Sequence, residues 1–271
     1  MVSETLRFFS FVSPLDFFFG TVWDPRFSTT GAAGGGYGIL PLLSGTLLVS
    51  VVAMTVAVPV GLMTAIFLAE YATPRFRSIA KPVIEVLAGI PTIVYGVFAL
   101  IVVGPFFSSV GAAIGLEIRA TSALTAGFVM GIMLIPFISS LSDDIITQVP
   151  RSLRDASMGL GATRSETIRR VVLPAALPGV VGAVLLAASR AIGETMIVVL
   201  AAGNSPVLQG NPFEAVSTVT VTIVNQLTGD QDFASPQSLV AFALGLTLFV
   251  ITLGLNVVAL YIVRKYREQY D

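Results

Sequence analysis

Cysteine and histidine are both absent from the 271 residues. No disulfide framework, thiol nucleophile, Cys/His metal site or imidazole base can be built from this chain. Charge is scarce as well. Asp, Glu, Lys and Arg make up 11% of the residues, against about 25% in an ordinary soluble domain. Lysine occurs only as Lys81 and Lys265, and neither completes the G-x4-G-K-[ST] pattern that cradles nucleotide phosphates. A net charge of −1 offers no basic surplus for nucleic acid. Residues 1–20 lack the basic start, clean apolar core and small-residue cleavage site of a secretory signal. The redox compartment is left open.

What remains is apolar. Hydrophobic residues are 55% of the chain and the mean hydropathy is +0.89, which points to an all-α polytopic membrane protein. A spanning helix needs about 20 mostly apolar residues. Five stretches qualify: 41–69, 82–104, 121–142, 175–203 and 239–263. The first and fourth are longer than a bilayer core requires, so Pro59 and Pro178 are expected break points. Most cations fall in three places: Arg75, Arg77 and Lys81; Arg151, Arg154, Arg164, Arg169 and Arg170; and Arg264, Lys265 and Arg267. The positive-inside rule then places the 143–174 loop and the 264–271 tail in the cytoplasm. An odd number of spans leaves the N-terminus outside, which leads us to expect a further helix upstream of residue 1. Residues 1–40 form a separate interfacial or periplasmic segment; its run "LRFFSFVSPLDFFFGTVW" suits a membrane surface or a re-entrant turn. "GAAGGGYG" at 31–38 reads as a flexible lead into the 41–263 transmembrane region, since no Lys follows it.

The 143–174 loop reads "DDIITQVPRSLRDASMGLGATRSETIRRVVLP". Pro150 suits a helix start. A short helix over 151–158 ends at Gly159 and Gly161, where the chain can turn. Thr163 and Glu166 form a capping-box pattern for a second helix, which Leu173 and Pro174 close. A half-apolar, half-basic hairpin either lies on anionic lipid or fills a groove in a cytoplasmic partner.

This loop resembles that of ABC-importer permeases, written E-A-A-x3-G-x9-I-x-L-P. Here Asp155, Ala156 and Ser157 are followed by Gly161 and then by Val171, Leu173 and Pro174. Asp replaces Glu, Ser the second Ala, and Val the Ile; the glycine spacing and Leu-Pro are kept. "YGILPLLSGTLLVSVVAMTVAVPVGLMTAIFLAEY" at 37–71, "LAGIPTIVYG" at 87–96 and "SRAIGETMIVVLAAG" at 189–203 resemble the phosphate-specific permeases. "GTVWDP" at 20–25 and "GILPLL" at 38–43 are more similar to the PstC than to the PstA type. The resemblance covers about residues 15–265. It implies a type I importer fold whose cytoplasmic coupling helix sits in a cleft of an ATPase subunit. It further implies a second related permease completing a heterodimer, a periplasmic phosphate-binding protein, a bacterial inner-membrane location among lipids, and ATP with its magnesium held by the ATPase rather than by this chain. No catalytic or metal residues are expected.

Arg190 and Glu194 interrupt the fourth apolar stretch. Charges at such depth cost roughly 2.5–3.5 kcal/mol on insertion scales and face protein or water. Four apart, they can share a helix face, while Gly179, Gly182, Ala183 and Ala187 allow a neighbouring helix close. Either the pair is a salt bridge locking helices, or the guanidinium meets an oxyanion in the pathway with Glu194 as its resting partner. The resemblance implies the transport role. Lys81 and Glu85 read as an interfacial pair. Thr46 and Ser50 in the first span, and Asn256 in the fifth, suit interhelical hydrogen bonds. Pro91 is expected to kink the second span. Asp143 and Asp144 either cap amides or touch a partner. Beyond phosphate, another oxyanion such as sulfate or molybdate, or an ion-coupled secondary transporter, remains open; without histidine or paired embedded aspartates, an intramembrane protease does not.

Overall fold

The computed structural model describes residues 1–26, 34–228 and 235–266; Arg267 and the rest of the tail, like the start of the glycine-rich lead, lie outside them. The chain opens with helices α1 (Val2–Phe9) and α2 (Pro14–Phe19), then antiparallel strands β1 (Trp23–Arg26) and β2 (Gly34–Tyr37), with Trp23 opposite Tyr37. α3 (Leu40–Ile66) runs on through a π-helical turn at Phe67–Tyr71. α4 (Pro74–Ala88) follows, then α5 (Thr92–Phe98), which a π turn at Ala99–Val103 joins to α6 (Gly104–Ala113). α7 (Ala123–Thr147) precedes two short helices, α8 (Arg151–Gly159) and α9 (Arg164–Thr167). A π turn at Ile168–Val172 leads into α10 (Leu173–Ile192). Last come α11 (Met196–Ala201), α12 (Val219–Leu227) and α13 (Pro236–Tyr266).

Among the described residues five helical runs are long and apolar enough to cross a membrane: Leu40–Tyr71, Thr92–Ala113, Ala123–Thr147, Arg164–Ile192 and Pro236–Lys265. The expected all-α bundle is therefore present, with the second and fourth spans shifted at both ends, to Thr92–Ala113 and Arg164–Ile192. The second span begins at Thr92 rather than near residue 82, because Gly89 ends α4 and Pro91 starts a new helix. Pro91 thus separates two helices instead of kinking one. The fourth helical run stops at Ile192, and residues 196–201 form α11 on their own. Pro59 and Pro178, expected as breaks, both sit inside continuous helices. Leu173 and Pro174 do not close the loop helix: the chain continues helically through the π turn. That wide turn falls immediately before Pro174, where the missing amide interrupts the regular ladder.

Contacts divide the chain into two compact units. One contains Met1–Ala53, Pro91–Met130 and Ala191–Leu253. Its aromatic start is folded rather than loose. Phe8 and Phe17 are fully buried and edge against each other at 5.5 Å between ring centroids, while Phe8 meets Tyr37 at 5.7 Å. Leu42 of α3, Val219 of α12 and Leu239, Val240 and Leu244 of α13 complete this core. Gly36, expected in a flexible lead, lies in a paired strand, where a Cβ would fall 2.7 Å from Val22 O. Thr46 Oγ1 accepts from Val219 N at 3.1 Å, the interhelical bond its position suggests. Ser50 Oγ, on the same face, has no partner.

The other unit contains Met54–Ile90, Gly131–Arg190 and Gly254–Asp271. Ala65, Ile146, Val149, Val172, Ala176 and Val180 form its buried cluster. Small residues let the backbones approach. Gly61 of α3 lies against Ile138 of α7, Gly179 of α10 against Ile145, and Gly182 against Val263 of α13. Ala183 and Ala187 are buried as expected. Asn256 Oδ1, by contrast, has no hydrogen-bond partner.

Candidate functional site: a helical hairpin and two embedded charges

α8 exposes every one of its residues at least in part. Met158 is 46% exposed and Leu160, in the turn that follows, 91%. An exposed leucine is unremarkable alone; here it follows a helix with no fully buried residue, only Leu153, Arg154 and Ser157 being half-buried. Gly161 turns the chain at φ +89°, a conformation that favours glycine. Thr163 and Glu166 make the capping box in full: Thr163 N donates to Glu166 Oε2 at 2.9 Å, and Glu166 N donates back to Thr163 Oγ1 at 3.3 Å. Ser157 and Thr167 share a hydroxyl hydrogen bond of 2.9 Å, tying α8 to α9. Asp155 and Ala156 are exposed, as is Pro174, while Val171 and Leu173 are half-buried. The fully buried residue there is Val172. The structure thus gathers the whole motif into one hairpin, with Asp155 and Ala156 outward and Val172 as its root.

Arginines hold the hairpin from beneath. Arg154 Nη1 donates to Val149 O at 2.7 Å; Nη2 donates to Ile146 O at 2.9 Å and to Glu70 Oε1 at 2.8 Å. Arg164 Nη2 donates to the Glu70 carbonyl, and its guanidinium stands 5.2 Å from the Tyr71 ring. Neither Glu70 nor Arg154 had a sequence signal as a pair: they are 84 residues apart. A second ionic group surrounds Asp143, whose side chain is 1% exposed. Arg77 Nη2 donates to both its oxygens, at 3.0 and 2.9 Å, and Lys81 Nζ to Oδ2 at 3.2 Å. Lys81 also bonds Asp144. The two aspartates are therefore salt-bridged rather than capping amides, and Lys81 turns to them instead of Glu85.

The embedded pair is not on one helix. Arg190 lies in the last turn of α10 and Glu194 follows its end, so the expected shared face does not exist. Glu194 takes up backbone amides instead: its Oε1 accepts from Met196 N at 2.9 Å and from Ile197 N at 3.4 Å, starting α11. An anion at a helix start is favourable. Its backbone carbonyl accepts from Thr220 Oγ1 at 2.8 Å. The carboxylate is nearly buried, at 9% exposure. Arg190 is exposed, with its guanidinium 5.5 Å from the Phe137 ring centroid, within the range of a cation–π contact. Among the described residues no cluster of Asp and Glu suits a metal ion.

Residues 57–268 match the model of the binding-protein-dependent transport system inner membrane component family. The chain belongs to that family. Members similar to this permease include the probable ABC transporter permease protein YqgH of Bacillus subtilis, 37% identical over 89% of this chain and 75% of the relative. The phosphate transport system permease protein PstC of Haemophilus influenzae is 34% identical over 93% of this chain and 82% of its own length. Among solved structures, the inward-facing MetNI methionine ABC transporter superposes with a TM-score of 0.61 at 18% identity, covering 85% of this chain and 95% of that one. A bacterial alginate ABC transporter in complex with a pentasaccharide-bound periplasmic protein also gives 0.61, at 16% identity, over 100% and 89%. At such identities they speak for the fold. This permease is accordingly a multi-pass inner-membrane protein with the ABC-permease fold.

Proposed function

We propose that this permease is the PstC-type subunit of an ATP-driven importer of inorganic phosphate. One observation carries the coupling part: α8 has no fully buried residue and is followed by the exposed Leu160, in the motif the family uses to meet its ATPase. A soluble partner can bury Leu160 and Met158, and α9 and its π turn bring Arg164, Arg169 and Arg170 alongside. The phosphate assignment is supported by relatives named for phosphate transport, among them the PstC proteins of Mesorhizobium japonicum and Haemophilus influenzae. ATP and magnesium bind the separate ATPase; a related permease supplies the other half of the pathway, and a periplasmic phosphate-binding protein delivers the ion. This chain performs no hydrolysis itself.

Within the pathway, Arg190 is the oxyanion contact. A guanidinium offers a planar set of donors matched to phosphate oxygens, and here it is exposed, 5.5 Å from the Phe137 ring centroid. Glu194, the other charge of this stretch, sets the helix start that follows.

The test is phosphate uptake by proteoliposomes holding the complete transporter, with co-purification of the ATPase measured in parallel. Leu160→Glu is expected to lose the ATPase and uptake together. Arg190→Ala is expected to keep the ATPase and lose uptake at least about a hundredfold, in line with the loss of a charge-assisted anion contact. Retained uptake in Leu160→Glu removes the docking assignment. Loss of assembly in Arg190→Ala returns that residue to a helix lock, and sulfate outcompeting phosphate reassigns the substrate.

A further inference from the structure

The last two residues of the first span, Glu70 and Tyr71, are held by both halves of the hairpin. From α8, Arg154 reaches the Glu70 carboxylate at 2.8 Å. From α9, Arg164 reaches the Glu70 carbonyl and covers the Tyr71 ring. The Arg154–Glu70 pair is largely removed from water, with side chains 18% and 9% exposed. The Arg154 guanidinium also donates to Val149 O and Ile146 O, while its buried Nε finds no partner among the described residues. A shielded charge pair resists separation far more than one on the surface.

The end being held is itself unusual. Phe67–Tyr71 is a π-helical turn, closed by Ala72 N donating to Phe67 O at 2.8 Å. Such turns hold one residue more than an α-helical turn and are frequent at functional sites. The grip falls on the wide turn itself: a shift of the hairpin pulls on Glu70 within Phe67–Tyr71, where the turn can tighten or relax.

We propose that Glu70 is the point at which movement of the hairpin enters the first span, with Arg154 and Arg164 as positioning residues. This rests on the hairpin being the ATPase-docking loop. The buried methyl and methylene contacts of Val172, Ile146 and Ala65 hold the hairpin in place; the ionic grip gives its displacement a direction.

The experiment uses the complete transporter in proteoliposomes, reading inorganic phosphate uptake and ATP hydrolysis from the same vesicles. Glu70→Gln keeps the shape and removes the charge. It is expected to keep the ATPase bound and hydrolysing within about twofold of wild type, while phosphate taken up per ATP falls about tenfold, the size of an ordinary coupling term. Arg154→Gln is expected to lower the same ratio, and the double variant to be no worse than either single one, because the two act as a unit. A Glu70→Gln transporter with an unchanged ratio overturns the proposal. So does hydrolysis falling in step with uptake, which marks a merely structural bond, and so does a double variant whose losses multiply. If Glu70→Gln does not assemble, Glu70→Asp is read by the same ratio, and an unchanged ratio there again overturns it. Failure of the wild-type chain to retain the ATPase strikes the docking assignment instead, and co-purification separates the two.

Discussion

Asp143 pairs with two cations at once, Arg77 and Lys81. It is almost wholly removed from water, yet it faces two cations whose own side chains keep 28% and 26% exposure. That exposure screens the attraction, so the pairing is worth less than a dry one. Asp143→Asn is expected to lower stability by about 1–3 kcal/mol, the range for leaving a charged hydrogen-bond partner unmatched, read as a lower melting temperature of the purified chain in detergent. Glu85→Ala, at an exposed site, is expected to stay within about 0.5 kcal/mol. The Asp144 hydrogen bond holds the Lys81 ammonium above its ordinary range. A raised cation pKa contributes stability that is complete below the ordinary lysine value of about 10.4 and is lost as pH rises through the raised one. No such loss is expected at neutral pH. Sequence spacing suggested Glu85 for Lys81 because it is one helical turn away. The actual partners lie 62 and 63 residues on, and local periodicity holds no record of them.

Elements tell a similar story at larger grain. The five spans were legible because each needs a long apolar run, and composition records that directly. Their ends were not. The apolar run over residues 82–104 carries only Glu85, near one end, but Gly89 and Pro91 end one helix and start another within it. Likewise the run through 203 conceals a break made by Glu194, whose carboxylate takes the amides that would otherwise continue α10. The hairpin motif was legible nearly residue by residue, because a capping box and a turn glycine are local devices; its arginine anchors to Glu70 were not. Helix contacts through glycine were foreseen for Gly179 and Gly182, and Gly61 adds another. A Cβ on Gly61 would come within 2.9 Å of the Ile138 side chain, closer than packed carbons tolerate. Gly61→Leu is expected to push α3 from α7 and to cost about 1–3 kcal/mol, as overpacked cores do. Thermal melting of the detergent-solubilised chain checks it, with an unshifted midpoint as the contrary result.

At the scale of the whole molecule, an inner-membrane component of a binding-protein-dependent system must first acquire a direction in the bilayer. Arg77 and Lys81 are built into that choice in an unexpected way. Once folded, they are balanced by Asp143 and Asp144, so α4 and the end of α7 together present almost no field. Yet Arg77 precedes Asp143 by 66 residues, and chains are made from the N-terminus. When α3 and α4 emerge from the ribosome, the neutralising aspartates have not been synthesised. The cations are therefore bare while topology is decided, when positive charge counts and acidic charge counts little, and silent ever after. Reporter fusions after α4 are expected to change side when Arg75, Arg77 and Lys81 are all made Glu, and to stay put in Asp143→Asn. The same quartet is a signpost for the translocon at birth and a plain structural rivet in the finished transporter.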